Sequence, residues 1–183
     1  MNTPVPLNSA PPSAHITYDD LDLTTRDHLL ASLPKSWDIA VEIGVWEARY
    51  MANMLMKTNM TVLGVDPYCS VPQYLDPEVI TDIYERDSAG DHLISFTRYM
   101  VAQVNIRTTN LNLKVAGRFT SGQIFRAYGH EVLPYCPDET NDFIYIDGAH
   151  EAPQVYKDIC NSWRVLNKNG IIVCDDYFYG DIN

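Results

Sequence analysis

Three aspartates and a histidine carry the types and spacing that chemistry needs. Asp147-Gly148-Ala149-His150 follows the apolar run DFIYI, and Asp175-Asp176-Tyr177 follows the run IIVC. If these runs are neighbouring parallel strands, Asp147, Asp175 and Asp176 reach one sheet edge. Carboxylates gathered there repel one another unless protons or a cation neutralise them. An all-oxygen ligand set suits a hard ion such as Mg²⁺. His150 stands three residues after Asp147, where its near-neutral pKa suits a general base acting on a hydroxyl. Taken singly, Asp147 is a helix cap, Asp175–Asp176 a solvated loop and His150 a surface residue. Three aspartates at two strand ends favour a site.

A second group lies upstream. Glu42-Ile43-Gly44 closes an apolar run and leads into a helical pattern. A glycine there lets the backbone turn tightly against a ligand, and the following helix start offers free N–H groups. Asp66 ends the next apolar run, 22 residues after Gly44. An acid in that place can accept hydrogen bonds from both ribose hydroxyls of a nucleoside cofactor. The stretch Gly44-Val45-Trp46-Glu47-Ala48 lacks the G-x-G-x-x-G fingerprint, which disfavours NAD.

These residues need a scaffold that puts strand ends side by side. Short apolar runs alternating with helical patterns supply one, the signature of a parallel sheet. Strands are expected at Asp38–Gly44, Thr61–Asp66, Leu113–Ala116, Asp142–Asp147 and Ile171–Asp175. Helices are expected at Tyr18–Leu33, capped by Thr24 or Thr25 and ended by Pro34, and at Trp46–Lys57, Asp91–Asn105, Ser121–Tyr128 and Pro153–Leu166. Asn167–Gly170 reads as a turn, residues 67–90 as an excursion, and residues 1–14 as a flexible segment before a domain over 15–183. Open sheets of this kind bind ligands at the carboxyl ends of their strands. Tyr68, Tyr74 and Tyr177 fall in loops at that edge as pocket walls, while Trp163 reads as packing.

Composition narrows the partners. The 183 residues carry a formal charge of −11 without a basic cluster, which disfavours nucleic acid. Hydrophobic residues make up 46% and charged ones 20%, an ordinary globular balance. No apolar run approaches membrane-span length, and the N-terminus lacks the basic start and apolar core of a secretory signal. Cys69, Cys136, Cys160 and Cys174 form no C-x-x-C pair, which points to free, mostly buried thiols in a reducing cytoplasm.

VEIGVWEARY (41–50), VLGVDPY (62–68), DFIYIDGAH (142–150) and GIIVCDDY (170–177) together resemble the class I S-adenosylmethionine-dependent methyltransferases. The likeness is strongest to the branch called methyltransferase domain 24, related to the macrocin-type sugar O-methyltransferases. It implies a doubly wound, Rossmann-like α/β sheet of order 3-2-1-4-5. It also implies cofactor contacts at Glu42 and Gly44 (methionine part), Val45, Trp46, Asp66 (ribose), Pro67 and Asp147. The family's usual acid after strand three is replaced by Gly117-Arg118-Phe119, so Phe119 or backbone groups are expected beside the adenine. In metal-dependent members the positions matching Asp147, Asp175 and Asp176 bind Mg²⁺, and the position matching His150 holds the catalytic base. Ala48 stands where a glycine is usual and would tighten the cofactor loop. The sixth and seventh strands usual in the class are not expected here, and association into a homo-oligomer would cover the open edge.

The resulting expectation is transfer of a methyl group from S-adenosylmethionine to a small-molecule hydroxyl, on a sugar or a phenol. Mg²⁺ on Asp147, Asp175 and Asp176 assists, with Asp147 and His150 as catalytic residues. The alternatives are a non-catalytic or truncated subunit with this fold, a metal-dependent hydrolase, and a metal-independent methyltransferase.

Overall fold

A computed structural model describes residues 21–68, 89–148 and 152–175. The expectations for residues 1–14, Tyr74, His150, Asp176 and Tyr177 lie outside them.

The sheet is built on β1 (Ile39–Ile43), whose residues beyond Ile39 are all buried. A strand buried on both faces belongs in the middle of a parallel sheet. It pairs with β2 (Thr61–Val65) on one side and β4 (Asn141–Ile146) on the other. β3 (Gly122–Phe125) and β5 (Leu166–Cys174) complete an all-parallel sheet of order 3-2-1-4-5, as the sequence resemblance implies. Alternation divides the core in two. Ala40, Phe143 and Tyr145 join Leu30, Met51, Met54, Leu55 and Ile106 on one face. Val41, Ile43, Val65, Ile144 and Ile146 join Leu133 and Val165 on the other.

Three helices serve the first face. α1 (Arg26–Ser32) is shorter than the expected Tyr18–Leu33, with residues 21–25 not helical, but Thr25 caps it, its side chain accepting from the His28 N–H at 3.0 Å. Its first turn presents Arg26 to the carboxyl edge of the sheet. α2 (Arg49–Lys57) buries Tyr50, Met51, Met54 and Leu55. α3 runs from Ala89 to Val115. The remaining segments are α4 (Gly129–Val132), a short 3₁₀ turn (Leu133–Tyr135), and α5 (Ala152–Val165).

The chain between 105 and 128 departs from expectation. Leu113–Ala116 is not the third strand. Val115 and the residues before it continue α3, whose Ala102, Ile106, Thr109 and Leu113 are buried at helical spacing. A four-residue apolar run does not by itself distinguish strand from helix, and tertiary packing decided here. Gly117, at φ +73°, ends the helix: its N–H donates to Lys114 O at 3.0 Å and the Arg118 N–H to Leu113 O at 2.8 Å. The third strand lies instead inside Ser121–Tyr128, which was expected to be helical. Asn110 fixes it, accepting from the Gly122 N–H at 2.8 Å and donating to Gly122 O at 2.9 Å.

Three smaller expectations also change. Asn167–Gly170 is no separate turn but an outward bulge of β5, since pairing jumps from Asn141↔Leu166 to Phe143↔Ile171. Trp163 does not pack: it is 73% exposed, on one face of α5 with Tyr156 and Ile159, while Gln154, Asp158 and Ser162 turn inward. Cys160 and Cys174 are exposed and Cys136 half-buried, all three free thiols. No helix among the described residues is long and apolar enough to cross a membrane.

Candidate active site

The carboxyl ends of β1, β2 and β4 meet at Gly44. Its φ is +87°, and an added Cβ would lie 2.0 Å from Asp147 O. The two strand-end loops touch backbone to backbone there, with the Asp147 N–H donating to Ile43 O at 2.7 Å. Only glycine permits both the turn and the approach.

The loop after Gly44 keeps a glycine-like path without glycines. Trp46 and Ala48 both adopt left-handed backbone, at φ +52° and +59°. This conformation costs an L-residue about 1 kcal/mol or more and persists only where surroundings impose it. Asp66 is one such constraint. Its Oδ2 accepts from the Val45 and Trp46 N–H groups at 2.9 Å each, and its Oδ1 from the Tyr68 N–H at 2.7 Å. Burial pushes the Asp66 carboxyl upward in pKa, and the Trp46, Tyr68 and Val45 N–H groups oppose it. Arg98 of α3 stacks on the Trp46 ring, 3.5 Å from its centroid. The left-handed turn also explains why α2 begins at Arg49 rather than Trp46.

Two cavities open on either side of this hinge, both lined by Gly44, Trp46, Asp147 and Gly148. The larger, about 370 Å³, is charged and also meets Arg26, Glu42 and Tyr50. The smaller, about 170 Å³, adds Asp66, Pro67, Tyr128, Gln154 and Asp158.

In the larger cavity Glu42 is 2% exposed, beside Gly64 and Tyr145 in the sheet register. Burial raises its pKa well above the ordinary value, the Asp147 charge adds to this, and Arg26 opposes it. Glu42 Oε2 and Tyr50 Oη are buried without a hydrogen-bond partner among the described residues. Buried polar atoms left so beside a cavity can be satisfied by water or by a ligand. Burial likewise raises the Tyr50 phenol, which keeps it a neutral donor.

Asp147 and Asp175 follow paired strand ends, Ile146 and Cys174, and do meet. A cation already joins them. Arg26 forms an ion pair with Asp175 and another with Asp147 at 3.4 Å. Its guanidinium lies over the Tyr50 and Tyr145 rings, 5.5 and 5.6 Å from their centroids. Among the described residues no group of three or more His, Cys, Asp or Glu side chains is placed to hold a metal. Of the expected Mg²⁺ ligands, the two that are described, Asp147 and Asp175, converge on a guanidinium rather than on an open site.

Phe119 leaves the site. It precedes β3, at the amino end of the sheet, fully exposed and beside Asp38, Ile39 and Thr61. Its expected place followed from the misplaced third strand. The loop after the true β3 brings Tyr128 to the smaller cavity instead, and α5 brings Gln154 and Asp158. Gln154 Nε2 donates to Asp158 Oδ1 at 3.1 Å, and burial raises the Asp158 carboxyl. Tyr68, expected as a pocket wall, is buried and packed edge-on against Tyr99 and lines neither of the two cavities. Arg26 carried no local signal, because its partner Asp175 is 149 residues away.

Fold and strand-edge geometry define the class I methyltransferase architecture. A methyltransferase domain model matches residues 41–177, and the chain belongs to that family. No curated protein sequence matches it. Among solved structures, a protein from Corynebacterium glutamicum shares the fold at TM-score 0.50 and 13% identity, over 82% of this chain and 55% of that one. A putative S-adenosylmethionine-dependent methyltransferase from Methanococcus maripaludis matches at 0.47 and 16%, over 75% of this chain and 47% of that one. An O-methyltransferase family protein from Burkholderia thailandensis matches at 0.48 and 10%, over 81% and 36%. The chain thus spans about half the length of the first two structures.

Proposed function

We propose that the chain binds S-adenosylmethionine across the Gly44 hinge and transfers its methyl group to a hydroxyl of a small molecule. The observation that carries this is the pair of cavities joined at Gly44, with Asp66 on one side and, on the other, Glu42, whose Oε2 has no hydrogen-bond partner among the described residues. The adenosine lies in the smaller cavity, its ribose hydroxyls donating to Asp66 beside Pro67. The methionine part lies in the larger one against Glu42, Gly44, Val45 and Trp46. Its ammonium suits the Glu42 carboxylate, which a bound positive charge would hold ionised.

The acceptor, a sugar or phenol hydroxyl, approaches from the Asp147 side. Its oxygen forms a bond to the methyl carbon as the carbon–sulfur bond breaks, leaving S-adenosylhomocysteine. The hydroxyl proton passes to a base in the Asp147–His150 stretch. Alignment of oxygen, methyl and sulfur provides most of the acceleration. No step is assigned to a metal ion.

Titration calorimetry with S-adenosylhomocysteine tests the reading. Micromolar binding is expected, weakened about 30-fold or more in Asp66→Ala, which loses both the ribose acceptor and the clamp on the loop. Absence of binding at millimolar ligand by the folded wild type would sink it.

A further inference from the structure

We infer that Arg26 is the resident cation of the acidic strand edge, taking the place of a divalent metal ion. The inference uses the proposed active site only to locate that edge. Asp147 and Asp175 end adjacent parallel strands, and their side chains are each about one-fifth exposed. Two carboxylates this close need a positive partner. The described structure supplies one from a distant part of the chain. The guanidinium of Arg26 pairs with both aspartates and lies over two aromatic rings, Tyr50 and Tyr145.

The Arg26 side chain is itself half exposed, but its partners do more than a lone surface carboxylate would. The two rings and two carboxylates surround a planar cation on several sides, an arrangement that suits guanidinium better than ammonium. Arginine remains protonated at any working pH and offers a fork of N–H donors to carboxylates. It cannot act as a Lewis acid, nor can it exchange with solvent as a metal does. Its field also reaches Glu42, whose carboxylate it favours in the ionised form. α1 thereby becomes part of the site's electrostatics, with Arg26 a positioning residue for Asp147.

Divalent-ion binding tests this without requiring activity. Mn²⁺ is titrated into the apoprotein and free ion followed by electron paramagnetic resonance. The wild type is expected to bind no Mn²⁺ below the millimolar range. Arg26→Met keeps an apolar stem against Tyr50 and Tyr145 but removes the charge, and should bind one Mn²⁺ at least tenfold more tightly. Arg26→Gln, which retains donors without charge, should do the same if the methionine variant fails to fold, as judged by circular dichroism. Submillimolar Mn²⁺ binding by the wild type would overturn the inference. So would folded Arg26 variants that bind Mn²⁺ no more tightly than the wild type. Because cofactor is absent from these titrations, failure of the methyltransferase reading would leave their outcome intact.

Discussion

The two cavities flanking Gly44 differ in how they manage charge. In the smaller one, Asp66 is satisfied by three backbone N–H groups and Asp158 by Gln154. In the larger one, Arg26 pairs with Asp147 and with the neighbouring Asp175, while Glu42 Oε2 and Tyr50 Oη have no hydrogen-bond partner among the described residues. One side is nearly complete as it stands; the other has buried polar atoms that a ligand can satisfy. Dipoles fixed in the backbone suit recognition of a constant group such as a nucleoside. Side-chain charges in a partly open chamber suit a centre where charge develops and disappears.

The largest expected effect removes what separates the cavities. Gly44→Ala forces a Cβ onto the Asp147 carbonyl and an L-residue into φ +87°. It should cost about 3 kcal/mol of stability and abolish binding of S-adenosylhomocysteine. Near-native stability in a urea melt would mean the hinge is less tight than its geometry.

Glu42→Gln probes the charged chamber alone. Its affinity for S-adenosylhomocysteine should fall about tenfold, or about 1.4 kcal/mol, while that for 5′-methylthioadenosine, which lacks the amino acid, stays unchanged. Equal losses for both ligands would erase the proposed division between the chambers. The same variant has a signature in pH. Burial raises the folded-state pKa of Glu42 above its ordinary 4.5, so the folded protein binds more protons than the unfolded one between those values. Its contribution to stability therefore falls as pH rises from about 4.5 through the raised value, then levels off. Thermal melts across pH should show that decline in the wild type and a shallower one in Glu42→Gln.

The smallest effect concerns the loop that runs from Gly44 into α2. Ala48→Gly relieves a left-handed alanine at the start of α2, partly offset by greater freedom of the unfolded chain. A gain of about 0.5 kcal/mol is expected. A loss above about 1 kcal/mol would show that packing of the Ala48 methyl outweighs its backbone strain.

Much of this was legible in the residues. β1, β2 and β4 fall within a residue or two of their expected bounds, because buried parallel strands are apolar throughout and stand out from their flanks. The places of Glu42, Gly44 and Asp66 at the carboxyl edge of the sheet were legible for the same reason, since each lies within one residue of such a strand's end. The third strand was not. Gly122–Phe125 is short and half exposed, whereas the apolar residues up to Val115 carried a stronger local signal as part of a long helix. That error moved Phe119 to the wrong end of the sheet and concealed Tyr128.

By itself the sequence determined the α/β class, the strand order implied by its motifs, and the meeting of Asp147 with Asp175. The first follows from local patterns of burial, the second from the family resemblance of those motifs, and the third from the rule that parallel strands align their carboxyl ends. Only the tertiary structure decided what neutralises the aspartates. A carboxylate cluster announces the need for positive charge without naming its source. Arg26 lies 149 residues from Asp175 along the chain, and packing of α1 against the sheet brings them together. The inward turn of Gln154 and Asp158, and the outward turn of Trp163, were tertiary decisions too. A helix's apolar stripe does not fix which side faces the sheet when buried polar groups find partners there.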